Sequence, residues 1–123
     1  MGVVWVALGG ALGSVCRFGE SHLGGRLGAA FAVPTFAVNV TGSFVIGVVM
    51  TLLLTRGADP AWRLLLVTGF LGGYTTFSTF AFDALRLADE GRPAQAALYV
   101  LGTIVVGLLA CFAGMVLGRL LAR

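Results

Sequence analysis

Charged residues divide this chain of 123 residues into four apolar stretches, at about 2–19, 32–55, 62–85 and 94–118. A helix needs about 20 residues to cross a hydrocarbon core of roughly 30 Å, and each stretch is close to that length. The hydrophobic share of 59% also exceeds what a soluble core of this size needs. The pattern therefore predicts an all-α membrane protein, in which residues 1–123 form a single unit of four transmembrane helices.

The connections between the apolar stretches are short and carry turn signals. Residues 57–60 read GADP and residues 89–93 read DEGRP. Pro60 and Pro93 suit the first turns of the third and fourth helices, and Pro34 marks the start of the second. The first stretch has no basic residue before it, so we expect it to be a membrane helix and not a signal peptide.

The third stretch contains the sequence GFLGGYTTFSTF at 69–80, which places a glycine pair and four Ser and Thr hydroxyls inside a membrane segment. In hydrocarbon, each backbone group without a hydrogen-bond partner costs several kcal/mol. A helix broken near Gly72-Gly73 survives only if protein, water or an ion satisfies the freed carbonyls and amides. The break therefore indicates a pathway or a binding site.

The basic residues do not favour either orientation in the membrane. All 8 are arginine, and four crossings place half of them on each side. One side holds Arg56, Arg63, Arg119 and Arg123, and the other holds Arg17, Arg26, Arg86 and Arg92. Small numbers give such a tie by chance, or the chain inserts both ways. In the second case the expected assembly is an antiparallel homodimer with a two-fold axis in the membrane plane.

Asn39 is the main polar residue of the second apolar stretch. An amide at this depth is either an interhelical hydrogen bond, worth roughly 0.6 to 2 kcal/mol, or a donor that lines a polar path. Ser43 lies one helical turn later on the same face, and Thr35 lies one turn earlier. These two hydroxyls on the same face favour the second interpretation, in which Asn39 lines a polar path.

Phe77 and Phe80 are three residues apart and share one face of a helix. Two phenylalanines in a membrane helix either pack against neighbours and lipid or present their electropositive ring edges to a pore, where they could hold a small anion. Thr76, Ser78 and Thr79 could donate hydrogen bonds to the same ion, or bond back to the preceding turn of their own helix.

Three segments carry a resemblance to a known family: GFLGGYTTFSTF followed by Asp83, VNVTGSFVIG at 38–47, and GGALGSVCRF at 9–18. Together they resemble the Fluc family of small fluoride channels, also called the CrcB family, over essentially the whole chain. The resemblance implies a four-helix subunit that forms an antiparallel, dual-topology homodimer with two pores. It also implies passive export of fluoride by a multi-pass protein of the inner (plasma) membrane.

The resemblance assigns roles to individual positions. The residues that correspond to the fluoride path are Asn39, Phe77, Ser78, Thr79, Phe80, Tyr99 and Thr103. The main-chain carbonyls of Gly72 and Thr75, from both subunits, correspond to ligands of a structural sodium ion, Na+, at the dimer interface. Arg17 corresponds to a vestibule arginine, which either concentrates anions or anchors the helix at the interface.

The chain departs from the family pattern at four positions. Pro34 stands where the family commonly has glycine, Asp83 replaces a glutamate, and Phe18 replaces a common tyrosine. Gly107 offers no hydroxyl one turn after Thr103, so the expected pore lining is weakest at the end of the fourth helix.

Two other functions are open to a chain of this kind. A proton-coupled cation exporter needs a carboxylate inside the membrane, but Glu20 and Asp83 are expected toward helix ends. A subunit that only packs in a larger complex would not need the polar third helix. No enzyme activity is expected, because the single histidine, His22, has no carboxylate or nucleophile at a recognisable spacing. The expected partners are fluoride, a second copy of the chain and the lipid bilayer, with no nucleic acid.

Overall fold

The computed structural model describes residues 1–123 and consists of helices joined by short turns. The helices are α1 (Gly2–Arg26), α2 (Val33–Thr55), α3 (60–74), α4 (Phe77–Asp89) and α5 (Pro93–Leu121). They form four spans long and apolar enough to cross a membrane, and α3 and α4 together make the third span. The predicted all-α architecture with four transmembrane segments is therefore confirmed.

The helix starts and turns follow the sequence signals. The second, third and fourth spans each carry a proline within their first two helical positions. Proline has no backbone N–H, and at these positions an N–H would have no partner within the helix. Asp59 caps the third span, since its Oδ1 accepts a hydrogen bond from Ala61 N at 2.8 Å. Gly57 and Gly91 have φ angles of 57° and 76°, a left-handed conformation that favours glycine.

The third span departs from regular α-helix in two places. Residues Arg63–Leu71 wind as a π-helix, which is wider than an α-helix and is often found near functional sites. The helix then stops, because Thr75 and Thr76 are extended, and α4 begins at Phe77. The predicted break is thus present, but it lies just after the Gly72-Gly73 pair, and Gly72 itself is helical with φ −63° and ψ −35°.

Glycines of this region serve close packing between α1 and α3 instead of breaking the helix. A Cβ added at Gly73 would lie 3.1 Å from the Cα of Gly10, and one at Gly9 would lie 2.7 Å from the backbone nitrogen of Phe70. A Cβ at Gly13 would collide with the Phe70 carbonyl oxygen. The two helices therefore touch backbone to backbone, which requires residues without side chains.

The same device joins α2 to α5, the most extensive helix pair of the fold. A Cβ at Gly114 would lie 3.1 Å from the backbone nitrogen of Val48, and one at Gly118 would lie 3.0 Å from the Val48 carbonyl oxygen. Glycines of the first and last helices therefore serve close helix packing. Large apolar side chains cover the outside of the bundle, which suits a lipid environment.

Candidate functional site

The break between α3 and α4 frees main-chain oxygens inside the membrane span. Thr75 N donates to Leu71 O at 3.0 Å, which is the last regular bond of α3. The next amide, Thr76 N, donates instead to the side-chain oxygen of Asn39 at 2.9 Å. The carbonyl oxygens of Gly72–Tyr74 consequently accept no backbone N–H. They are available to another partner.

Asn39 on α2 bonds to both polar backbone groups of Thr76. Its Oδ1 accepts from Thr76 N, and its Nδ2 donates to Thr76 O at 3.1 Å. An asparagine amide has two N–H groups, so one remains free for a further acceptor. Asn39 thus makes an interhelical bond and also lines a cavity, so the structure combines the two roles that the sequence left open.

Six of the predicted site residues line one cavity of about 430 Å³. They are Asn39, Gly72, Thr75, Phe77, Phe80 and Thr103. The rings of Phe77 and Phe80 have centroids 5.7 Å apart and are tilted by 47°. The Phe77 side chain is 79% exposed in the single chain. The cavity therefore combines an amide donor, main-chain oxygens and two aromatic rings at the start of α4.

A second cavity of about 330 Å³ has a more polar wall that also includes residues of the break. Its lining includes the guanidinium of Arg17 and hydroxyls of Ser14, Ser21, Thr35, Thr76 and Thr79. Arg17 Nη1 also donates to the Thr75 carbonyl oxygen at 3.2 Å. The hydroxyls of Thr35 and Thr76 already donate to Asp83 and Thr79. The cavity therefore offers a positive charge and the hydroxyl donors of Ser14, Ser21 and Thr79, which favours anions.

Thr76 caps α4 and organises the hydroxyls beside it. Its Oγ1 accepts from Thr79 N at 3.2 Å, donates to Thr79 Oγ1 at 3.0 Å and lies 3.3 Å from Ser78 Oγ. Ser78 and Thr79, both predicted pore residues, are thus partly engaged in the cap. This capping role of Thr76 was not predicted from the sequence, although a threonine before a helix is a usual capping signal. The N-terminus of α4 adds a partial positive charge at this point.

Tyr99 and Thr103 on α5 lie behind the phenylalanines. The Tyr99 ring centroid is 5.3 Å from that of Phe80, and its hydroxyl is buried without a hydrogen-bond partner. Thr103 lines the first cavity, but its hydroxyl donates to the Tyr99 carbonyl oxygen at 2.6 Å. Tyr99 and Ser78 line neither of the two cavities described above, although Tyr99 packs against Phe80.

Asp83 is a buried acid in the second half of the third span. It lies in the middle of α4 and is only 5% exposed, because the break makes residues 77–89 a helix of their own. Its Oδ2 accepts a hydrogen bond from Thr35 Oγ1 at 2.8 Å. Within the third membrane span, 60–89, Asp83 lies toward the C-terminal end, as the sequence predicted, but it is buried among the helices. Neither cavity is lined by a carboxylate, however, which argues against a proton-coupled cation exporter.

The residues of the break also meet the chemical requirements of a bound sodium ion. No group of three or more His, Cys, Asp and Glu side chains is placed to hold a metal. A hard cation prefers oxygen ligands, and the carbonyl oxygens of Gly72–Tyr74 have no backbone partner. The Thr75 oxygen accepts one bond from Arg17 and keeps a second lone pair. The donor set therefore fits such an ion.

Fold and site together define a small multi-pass membrane protein with a polar site at a broken helix. The chain belongs to the CrcB family, because the family profile described as "CrcB-like protein, Camphor Resistance (CrcB)" matches residues 4–115. The family resemblance inferred from the three motifs is thereby confirmed.

Relatives from several bacteria are similar over nearly their full length. The chain is 48% identical over 121 residues to the fluoride-specific ion channel FluC of Acidobacterium capsulatum, covering 97% of each chain. It is 47% identical to the fluoride-specific ion channel FluC of Paracoccus denitrificans, over 93% of this chain and 91% of the relative. The protein of the same name from Agrobacterium fabrum is 46% identical over 95% of both chains.

Proposed function

We propose that this chain is a passive, selective fluoride channel that exports fluoride across the inner membrane. The observation that carries the proposal is the cavity at the helix break, where Asn39, Phe77 and Phe80 meet. Its chemistry suits a small anion, and the relatives of the chain are named fluoride-specific ion channels. The absence of a carboxylate from the cavity wall is consistent with an anion path.

The path has to replace the water that fluoride loses on entering the membrane, because a bare charge in hydrocarbon is prohibitively costly. The free N–H of Asn39 supplies a donor, and the edges of Phe77 and Phe80 supply weaker positive potential. Arg17 concentrates anions in the second cavity. A negative interior potential then moves the anion outward with about 2.3 kcal/mol per 100 mV, without ATP or a coupled ion.

The proposed functional unit is an antiparallel homodimer with two pores. The four-to-four division of arginines supports insertion in both orientations. The Phe77 ring is compatible with it, since a ring that is 79% exposed in one chain leaves a surface for a second subunit beside the candidate site.

Topology can be tested with a single cysteine at Ala58, in the turn between α2 and α3. The native Cys16 and Cys111 are replaced by alanine, and intact cells or spheroplasts receive a membrane-impermeant maleimide. About half of the copies should react from outside if both orientations are populated equally. Labelling of nearly all copies, or of none, would contradict dual topology.

We also propose that the carbonyls of Gly72 and Thr75, from both subunits, hold a structural sodium ion. Such an ion supplies fixed positive charge where the two broken helices meet. Replacing sodium by N-methyl-D-glucamine, a cation too large for the site, should lower the thermal midpoint of the purified dimer. A midpoint independent of sodium would overturn the sodium proposal and would leave fluoride conduction untouched.

The function itself is tested in a bacterial strain that lacks its own fluoride exporter. Expression of the chain should restore growth on fluoride-containing medium, whereas the empty vector should not. If the chain is present in the membrane and growth remains at the level of the empty vector, the proposed function is contradicted. Proton-driven uptake of cationic drugs would then be measured, to test the exporter alternative.

A further inference from the structure

Tyr74, the last helical residue before the break, is held by side chains from two other helices. Its hydroxyl donates a hydrogen bond to the carboxylate of Glu20 on α1. The same hydroxyl lies 2.8 Å from Thr41 Oγ1 on α2. Because the one proton of the Tyr74 hydroxyl goes to Glu20, this second bond requires the Thr41 hydroxyl to donate to Tyr74 and not to the Ala37 carbonyl oxygen 2.7 Å away. A chain of hydrogen bonds therefore links α1, α3 and α2 at the break.

The Tyr74 ring has little freedom to point elsewhere. It stacks on Phe70, with centroids 5.9 Å apart and planes 13° from parallel. On the α2 side, a Cβ added at Gly42 would lie 3.4 Å from Tyr74 Cδ1, so the α2 backbone comes close to the ring. The ring is therefore fixed by packing, and the bond to Glu20 fixes its far end.

Glu20 has no other hydrogen bond or ion pair. A carboxylate within a membrane span is costly and usually functional. Only Glu20 and Asp83, among the five acids, lie inside membrane helices away from the turns. Asp83 accepts a hydrogen bond from Thr35, whereas the only hydrogen-bond partner of Glu20 is Tyr74.

The position of Tyr74 gives this bond a consequence for the site. The break begins at the next residue, and the carbonyl oxygens of Gly72–Tyr74 are the freed ones. Asn39 holds the far side of the break by bonding to Thr76. Side chains of other helices therefore hold the break on both sides: Glu20 bonds to Tyr74 before it, and Asn39 bonds to Thr76 within it.

We propose that Glu20 is a positioning residue, which holds the backbone of the break, through the Tyr74 hydroxyl, in the geometry that conduction requires. The part about conduction rests on the proposed function. The part about the backbone does not, since amide exchange at the break reports it without any ion flow.

The test compares four variants of the full-length chain with the wild type. Tyr74→Phe removes only the hydroxyl, Glu20→Ala removes the acceptor, and Glu20→Gln keeps an acceptor oxygen in the same place. The fourth variant combines Tyr74→Phe with Glu20→Ala. The matched control is Glu90→Gln, because Glu90 pairs only with exposed arginines on the surface.

Two quantities are measured on the same purified preparations. Hydrogen-deuterium exchange with mass spectrometry follows peptides that contain the Thr75 and Thr76 amides, and an electrode follows fluoride release from liposomes. Hydrogen bonds to charged groups are strong enough for a loss to change an opening equilibrium by about tenfold or more. Tyr74→Phe and Glu20→Ala should therefore each speed exchange at the break by at least about tenfold and slow fluoride release.

The pattern among the variants identifies the mechanism. The double variant should be no worse than Tyr74→Phe alone, because loss of the hydroxyl already removes the bond to Glu20. Glu20→Gln should lie between the wild type and Glu20→Ala, because it keeps an acceptor oxygen but loses the charge. Glu90→Gln should stay near the wild type.

Three results would overturn the inference: unchanged exchange in Tyr74→Phe and Glu20→Ala, faster exchange with normal fluoride release, or equal losses in Glu20→Gln and Glu20→Ala. A wild-type protein that releases no fluoride would instead contradict the proposed function. In that case the exchange rates alone still decide whether Glu20 positions the break.

Discussion

The two halves of the third span, α3 and α4, are built from different interactions. Helix α3 lies against α1 by backbone contact, through glycines such as Gly73, and its middle is π-helical. Helix α4 is held by side chains, since Asp83 bonds to Thr35 and Phe80 packs on Tyr99. The break therefore separates a half built on backbone contact from a half that carries side chains of the proposed anion path.

This difference indicates how one short span can be both rigid and polar. Backbone contact between glycines tolerates almost no change, so α3 fixes where the break lies. The side chains at the start of α4 are not needed for that backbone contact. Phe77 lines the first cavity and Thr79 lines the second. Changes in α3 or its partner helix should affect folding, and changes at the start of α4 should affect conduction.

The largest effect is expected at the contact between α1 and α3. In Gly13→Ala the new Cβ collides with the Phe70 carbonyl oxygen, which is main chain and cannot turn away. Overpacking of this kind costs about 3 kcal/mol, so yield and thermal midpoint in detergent should both fall. The matched control is Gly19→Ala on the same helix, where a Cβ meets nothing within 4 Å. Equal thermal midpoints in the two variants would show that the contact between α1 and α3 tolerates an added Cβ, which would contradict its rigidity.

The second effect concerns the anchor of the break on α2. Asn39→Asp replaces the N–H that faces the Thr76 carbonyl by an acceptor oxygen, and it places negative charge beside the proposed anion path. The two penalties together should slow fluoride release from liposomes by about a hundredfold. Gln95→Glu is the control, because it makes the same amide-to-acid change at the exposed start of α5. Normal release by the Asn39 variant would remove this side chain from the path.

A third, smaller effect tests the aromatic rings of α4. Phe77→Ile and Phe80→Ile keep an apolar side chain but lose the electropositive ring edge, which is worth roughly 1 kcal/mol in favourable geometry. Each should lower fluoride release by about fivefold while the dimer stays assembled in size-exclusion chromatography. Phe82→Ile, on the same helix but outside the cavity, should release fluoride normally. Unchanged release in both cavity variants would exclude the rings from conduction.

The smallest effect is expected at the second cavity. Arg17→Gln removes a charge that is only partly buried and already bonded to Thr75 O, so its contribution is moderate. Fluoride release should fall by about threefold at low salt and by less at high salt, because ions screen such charges. Arg26→Gln, in the last turn of the same helix, serves as the control. A loss that does not change with salt would point to packing and not to anion attraction.

The sequence predicted the spans well because their length, composition and prolines are local signals. It predicted a break for the right reason, but glycine has two uses, flexibility and close packing, and the pattern alone does not separate them. In the structure Gly73 packs against α1, and the extended residues are Thr75 and Thr76. The location of the break thus depended on which helix passes beside α3, which is a tertiary property.

The family motifs named the site residues but not their arrangement. Asn39 and Phe80 share a cavity, whereas Arg17 and Thr79 line another, and no spacing in the chain predicts that division. The bond from Tyr74 to Glu20 joins residues 54 positions apart on different helices, so no local sequence pattern predicts it.

The measurement that tests selective fluoride conduction most directly is ion release from liposomes that contain the purified dimer. Fluoride and chloride are followed with ion-selective electrodes, while a potassium ionophore clamps the potential and empty liposomes give the background. Rapid fluoride loss with chloride loss at background is the predicted result. Equal loss of both ions, or no fluoride loss from protein that is demonstrably dimeric, would contradict a selective fluoride channel.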